Sequence, residues 1–91
     1  MRLTLAPAAL PRDHDGYEYG TAGQLAPLLT SPERRVTAGS IRNWAYLSRR
    51  PGHRLHGRLP AIHIPGPRTG NTYYRLHDAA QVAAMIEAGI R

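Results

Sequence analysis

Apolar residues recur at helical spacing in three parts of the chain. The first part has four such positions, Ala22, Leu25, Leu28 and Leu29. Thr21 directly precedes them and can cap the first turn, so the pattern predicts a short helix. Pro27 should kink or shorten this helix, because proline removes one of its backbone hydrogen bonds. The polar stretch at 30–35 then predicts a turn.

The second part predicts an amphipathic helix over 37–50. Thr37 can cap its first turn, and Pro51 followed by Gly52 should end it. The predicted buried stripe consists of Ile41, Trp44, Ala45 and Ser48. The opposite stripe consists of Gly39, Arg42, Asn43, Tyr46, Arg49 and Arg50. This polar stripe contains no carboxylate, whereas a merely solvated helix face usually mixes charges of both signs.

Alternating apolar residues predict two strands after a polar, basic loop at 52–58. The strands are expected over 59–64 and 72–76, each with its apolar residues on one face. The segment 65–71 between them is rich in glycine and proline and ends in asparagine, which suits the tip of a hairpin.

The third helical pattern covers 77–90, with Asp78 in the first turn and Gly89 near the end. Its predicted apolar side consists of Ala79, Val82, Ala83 and Ile86. Residues 1–19 contain two prolines and show no sustained period, so they predict a flexible arm. The folded domain is then expected to cover 20–91.

Positive charge is confined to the middle of the chain. The net charge is +6, and nine of the twelve arginines lie between Arg34 and Arg75, a stretch without any acidic residue. A field of one sign on a small protein is typical of binding to a polyanion. The chain has no lysine, and arginine is the side chain that contacts phosphate or guanine in a bidentate way. A GC-rich genome would equally explain the missing lysines, but it would not explain the segregation.

Composition excludes several kinds of site. The 91 residues suffice for one small domain, and without cysteine its stability must come from packing. His53 and His56 have metal-ligand spacing, but no cysteine or nearby carboxylate would complete a zinc site. No apolar run approaches the ~18–20 residues of a membrane span, and no signal peptide is evident. We therefore expect a cytoplasmic, nucleoid-associated protein that uses no metal or cofactor.

The order helix, turn, helix, hairpin, helix is that of a small winged helix-turn-helix, an α+β fold. The stretches "SIRNWA", "GRLPAI" and "TYYRLHDAAQV" resemble the DNA-binding domain of MerR-type regulators and of the related phage and plasmid excisionases. The resemblance covers roughly residues 21–86. It implies that the helix at 37–50 enters the major groove of double-stranded DNA. It also implies that the wing at 59–76 lies at the minor groove or its phosphates.

The resemblance and the side-chain chemistry together select candidate DNA contacts. Ser40, Arg42 and Asn43 would read bases, since arginine pairs with guanine and asparagine with adenine, each worth about 1–3 kcal/mol of discrimination. The expected contacts to phosphate or the minor groove are Thr37, Gly39, Tyr46, Arg49, Arg50, Arg54, Arg58, Arg68, Thr69 and Arg75. For any one of the arginines proposed to bind phosphate, a solvated surface charge is the alternative.

Two classes of function fit these observations. The first is sequence-specific DNA binding, as an excisionase that directs an integrase or as a small MerR-like regulator of RNA polymerase, with self-association on DNA in either role. The second is a structural protein, such as a phage packaging subunit, that uses the winged domain mainly for protein contacts and the arm at 1–19 as a contact element. We expect no enzyme, because the sequence offers neither carboxylates paired in a cleft nor a serine–histidine–aspartate context.

Overall fold

A computed structural model describes residues 10–65 and 71–89. Within these ranges the protein is a small α+β domain with three helices and a three-stranded antiparallel sheet in the order β1-β3-β2. The elements are β1 (Tyr19–Gly20), α1 (Ala22–Leu29), α2 (Ala38–Ser48), β2 (Ile62–Ile64), β3 (Asn71–Arg75) and α3 (Leu76–Glu87). The α+β class is thus confirmed. Across the described ranges, every helix is too short or too polar to cross a bilayer.

Helices α1 and α2 both begin after a threonine in the sequence Thr-Ala-Gly. Thr21 Oγ1 accepts a hydrogen bond from the Gln24 backbone N–H at 3.2 Å, and Gln24 Oε1 accepts one from the Thr21 N–H at 2.8 Å. This reciprocal pair is a capping box. Thr37 Oγ1 accepts from the Ser40 N–H at 3.1 Å in the same way. Both predicted helix starts are confirmed, because each depends on residues close together in sequence.

The core forms where the three helices meet β3. Helix α2 buries Ile41, Trp44, Ala45 and Ser48, which is the predicted stripe. Helix α3 buries Ala79, Val82 and Ala83 as predicted, and Ile86 packs at the edge of the core. In α1 the prediction is wrong at Leu28, which is 53% exposed, while Ala26 is buried in its place.

The loop after α2, residues 49–59, is anchored to the core, although the composition of 52–58 predicts a polar loop. Leu55 is fully buried, and Leu59 at the end of the segment is 1% exposed. Ser48 ties the segment to the helix, because its carbonyl accepts the Gly57 N–H at 2.8 Å and its Oγ accepts the Leu59 N–H at 3.0 Å. The buried Ser48 hydroxyl is thereby satisfied. Arg54 and Arg58 of this loop are therefore exposed on a backbone that hydrogen bonds to α2 hold in place.

Residues 10–20 extend the sheet, although the sequence pattern assigns most of them to a flexible arm. Tyr19 and Gly20 form β1 and pair with Arg75 and Tyr74 of β3. The Leu76 N–H, where α3 begins, also donates to the Glu18 carbonyl at 2.9 Å. Residues 10–19 are therefore part of the folded unit, and the remainder of the predicted arm lies outside the described residues.

The chain leading into β1 folds into a turn that the Asp13 side chain stabilises. Asp13 Oδ1 accepts the backbone N–H groups of Asp15 and Tyr17, both at 3.0 Å. Gly16 has a φ of +90°, which glycine adopts without steric cost. We refer to residues 11–18 as the N-terminal turn.

Replacing Leu55 tests whether the loop after α2 belongs to the core. Leu55→Ala should lower the free energy of unfolding by about 2–5 kcal/mol, because it removes buried methyl groups and leaves a cavity. Leu28→Ala is the matched control and should change stability by only about 0.5 kcal/mol, since Leu28 is exposed. Urea denaturation measures both variants. Similar effects of the two substitutions would contradict the buried position of Leu55.

Candidate nucleic-acid interface

The burial of one stripe of α2 turns its opposite face to solvent. The exposed residues of this face are Gly39, Arg42, Asn43, Tyr46 and, where the helix ends, Arg49 and Arg50. Their exposure agrees with the prediction. Among the described residues, no carboxylate lies within 4.0 Å of the Arg42, Arg49 or Arg50 guanidinium. Positive charge on this face is therefore uncompensated within the described part of the chain.

Tyr46 organises the two arginines at the end of α2. The guanidinium carbons of Arg49 and Arg50 lie 6.0 and 5.7 Å from the centre of the Tyr46 ring, and Arg50 Nη1 lies 3.4 Å from the Tyr46 hydroxyl. Attraction between a cation and the ring face favours this arrangement. Tyr46 is 49% exposed, so its ring supports surface side chains rather than filling the core. The cluster presents two guanidinium groups and a hydroxyl on one side of the helix end.

The first turn of α2 places its polar residues in different situations. Thr37 Oγ1 lies 3.1 Å from Ser40 Oγ in addition to capping the helix, and Ser40 is half-buried. The Ser40 hydroxyl is thus less available for a base than the prediction assumes. Gly39 is exposed, and a Cβ there would have only Thr37 Oγ1, at 3.7 Å, as a neighbour. Packing within the described residues therefore does not explain why this position is glycine.

The loop after α2 adds two exposed arginines, Arg54 and Arg58, next to the helix end. Neither has a carboxylate of the described residues within 4.0 Å. His53 is used locally, because its Nδ1 accepts the Leu55 N–H at 3.1 Å. Within 10–65 and 71–89, no three histidine, aspartate or glutamate side chains are grouped so that they could hold a metal ion.

A concavity of about 230 Å³ lies between α2, the start of α1 and strand β3, which forms a hairpin with β2. It is lined by Thr21, Ala22, Arg42, Asn71, Thr72 and Tyr74. Arg42 from α2 and Thr72 from β3 thus border the same space. Arg68 and Thr69, the predicted contacts at the hairpin tip, lie outside the described residues.

Arg75, predicted to contact phosphate, is instead bound by carboxylates of its own chain. Its Nε donates to Asp13 Oδ2 at 2.7 Å and its Nη2 donates to Asp15 Oδ2 at 3.0 Å. The guanidinium carbon also lies 4.6 Å from the centre of the Tyr17 ring. Two carboxylates neutralise this guanidinium, so we remove Arg75 from the candidate phosphate contacts. Its role in the structure is to fasten the N-terminal turn to β3.

Arg34 at the other end of the basic stretch is also engaged within the protein. Its Nη1 donates to the Glu87 carboxylate and to the Ala83 carbonyl, the latter at 3.3 Å. Its Nη2 donates to the carbonyl of Leu29 at 3.0 Å, where α1 ends with carbonyl groups that lack helical partners. Arg34 therefore connects the end of α1 to α3.

Carboxylates thus neutralise the two ends of the basic stretch and leave its interior uncompensated. Among the described residues, the arginines of this stretch without a carboxylate within 4.0 Å are Arg35, Arg42, Arg49, Arg50, Arg54 and Arg58. Five of these six belong to α2 or to the loop that follows it. The strongest positive field consequently lies around α2 and this loop.

The ion pair at β3 shifts the acidity of both partners. Burial alone would raise the pKa of Asp13, but hydrogen bonds from the Tyr17 N–H and from Arg75 outweigh it and hold that pKa below its ordinary value. Burial alone would lower the pKa of Arg75, but its bonds to Asp13 and Asp15 raise it. Both shifts favour the charged forms, so the pair stabilises the fold while Asp13 is ionised.

Acid should weaken this ion pair in a defined range of pH. The folded pKa of Asp13 lies below its unfolded value of about 3.9, so its contribution to stability is complete above that value and is lost as pH falls through the folded pKa. Asp13→Asn keeps an acceptor for the turn but removes the charge. Its urea midpoint should lie below that of the wild type at pH 7, and the difference should shrink below about pH 4. Glu33→Gln, at an exposed carboxylate, should show no such difference, and a pH-independent effect of Asp13→Asn would contradict the ion-pair explanation.

Comparison with known proteins gives no family assignment. No protein-family model matches the chain, and neither curated proteins nor solved structures gave a significant match. The features that bear on function are therefore the geometry and charge of α2, the loop after it and the hairpin.

Proposed function

We propose that this protein is a sequence-specific double-stranded DNA-binding protein of the winged helix-turn-helix type. In this proposal α2 enters the major groove, whose width admits an α-helix. The hairpin of β2 and β3 lies along the neighbouring minor groove or its phosphates. The observation that carries the proposal is the uncompensated positive charge of α2 and its following loop, on a helix whose other side is buried in the core.

The proposed contacts divide by chemistry. Arg42 and Asn43 lie on the exposed face of α2 and have the donor and acceptor groups that recognise guanine and adenine. The candidates for phosphate contact that remain exposed are Arg49, Arg50, Arg54 and Arg58, with the Tyr46 hydroxyl beside them. Ser48 holds the backbone of the loop that carries Arg54 and Arg58 against the helix. Arg68 and Thr69, predicted from the sequence, remain candidate contacts in this proposal.

This mode of binding serves either of two cellular roles, which we propose as alternatives. An excisionase bends DNA and directs a site-specific integrase, whereas a small MerR-like regulator acts at a promoter. Occupancy of adjacent direct repeats, with stimulation of excisive recombination by a cognate integrase, would identify an excisionase. A single palindromic footprint over a promoter would identify a regulator.

Direct binding measurements test the proposal. The target site is first found by footprinting on the DNA that flanks the gene. The dissociation constant for that site is then measured between about 50 and about 300 mM salt. With about five phosphates neutralised, the logarithm of the binding constant should fall with the logarithm of salt concentration with a slope of about −4.5. A duplex of scrambled sequence should bind more weakly at every salt concentration. A flat salt response, or equal affinity for both duplexes, would exclude the proposed function. It would favour the alternative of a structural protein that uses the winged domain mainly for protein contacts.

Single substitutions should separate base recognition from phosphate contact. Asn43→Ala should lose about 1–3 kcal/mol of discrimination at one base pair, because it removes the amide that would pair with adenine. Arg49→Ala should weaken binding to all sequences alike and reduce the salt slope by about 1. Arg12→Ala, which removes the same charge from the N-terminal turn, is the control and should leave the slope unchanged. An Asn43→Ala variant that keeps its full base preference would show that α2 does not read sequence through this residue.

A further inference from the structure

Residues that can donate hydrogen bonds line part of the concavity between α2 and the hairpin. They include Arg42, Thr72 and Thr21, whose side chains carry a guanidinium and two hydroxyl groups. No carboxylate lines it, and among the described residues none lies within 4.0 Å of Arg42. Its volume of about 230 Å³ is several times the ~30 Å³ that one water molecule occupies in the liquid, which is large enough for a phosphate group.

Strand geometry indicates that Thr72 is directed toward α2. Side chains alternate between the two faces of a strand, so Thr72 shares a face with Tyr74, which is buried in the core beside the helices. Arg42 borders the same space from the helix side. Arg42 and Thr72, from two different elements, therefore border one small volume.

The proposed DNA complex places a phosphate in this volume. The major and minor grooves of a duplex are separated by a sugar–phosphate strand. A helix in one groove and a hairpin in the next must straddle that strand. In this protein the space between α2 and strand β3 of the hairpin includes the concavity that Arg42 and Thr72 border.

We infer that this concavity binds one phosphodiester group of the straddled strand, and that Arg42 contacts this phosphate rather than a base. The inference rests on the proposed function and deepens it, because it reassigns Arg42 from base recognition to a phosphate, adds Thr72 to the interface and leaves Asn43 as the principal base-reading side chain of α2. Arginine suits this position, since its planar fork donates two parallel hydrogen bonds to a phosphate. Arg42 then sets the register of the protein on DNA without selecting sequence.

Neutralising single phosphates of the DNA tests this assignment. Duplexes of the target site are made with one uncharged methylphosphonate at a time, and binding is measured for the wild type, Arg42→Gln and Thr72→Val. At one position the substitution should weaken wild-type binding by about 10- to 100-fold, as expected for loss of a charge-assisted contact. Arg42→Gln should bind unmodified DNA more weakly than the wild type by a similar factor. The methylphosphonate at that position should weaken Arg42→Gln binding little further, and the base preferences of the variant should be intact.

The hydroxyl of Thr72 has its own matched pair of variants. Thr72→Val keeps the branched side chain of the strand but removes the hydroxyl, and should weaken binding severalfold to all sequences. Thr72→Ser retains the hydroxyl and should bind within about twofold of the wild type. Thermal unfolding of each variant shows that the fold is retained, so that the loss belongs to the contact.

The failure of this inference differs from the failure of the proposed function. If Arg42→Gln loses its preference at one base pair while remaining sensitive to every methylphosphonate that affects the wild type, Arg42 reads a base and the phosphate assignment is wrong, although DNA binding stands. Equal binding of Thr72→Val and the wild type would remove Thr72 from the site. If the wild type binds no duplex specifically, the proposed function and this inference both fall.

Discussion

The burial of one stripe of α2 determines where the basic surface points. Ile41 and Trp44 pack into the core, and a rotation of the helix would return them to water at a cost of about 1.5–3 kcal/mol for each large apolar side chain. The polar face must then point outward. Ser48, at the end of the same stripe, ties the following loop to the helix through its carbonyl and its hydroxyl. The helix and the loop consequently present their arginines as one unit.

Three acidic residues connect elements of the fold and do not mask α2. Glu87 pairs with Arg34 and joins α3 to the end of α1, while Asp13 pairs with Arg75 and joins the N-terminal turn to β3. We expect repulsion among the remaining arginines to lower stability, because like charges on one part of a small domain repel one another. A polyanion bound to α2 would relieve this repulsion. The chain thus concentrates an electrostatic cost at the surface proposed to bind DNA, as functional sites commonly do.

Sequence patterns predict the features of this fold that depend on neighbouring residues. Both threonine caps and the buried stripe of α2 follow from spacings of a few positions, and they are confirmed. Strand β1 has only two residues and therefore no period to detect. The burial of Leu55 within a polar segment and the pairing of Arg75 with Asp13 depend on tertiary contacts, so composition predicts the opposite of what the structure has. The face of α2 could be predicted, whereas the true partners of Arg75 could not.

The bond between Arg75 and Asp13 has a consequence for the order of folding. Its partners are 62 positions apart, and β1 pairs with β3 over a similar separation. Closing so long a loop has a high entropic cost until other contacts hold its ends together. On a ribosome, Asp13 emerges well before Arg75, so the helical pair α1 and α2 can form while the start of the chain has nothing to dock against. We expect the N-terminal turn to join last, completing a domain whose helices are already packed.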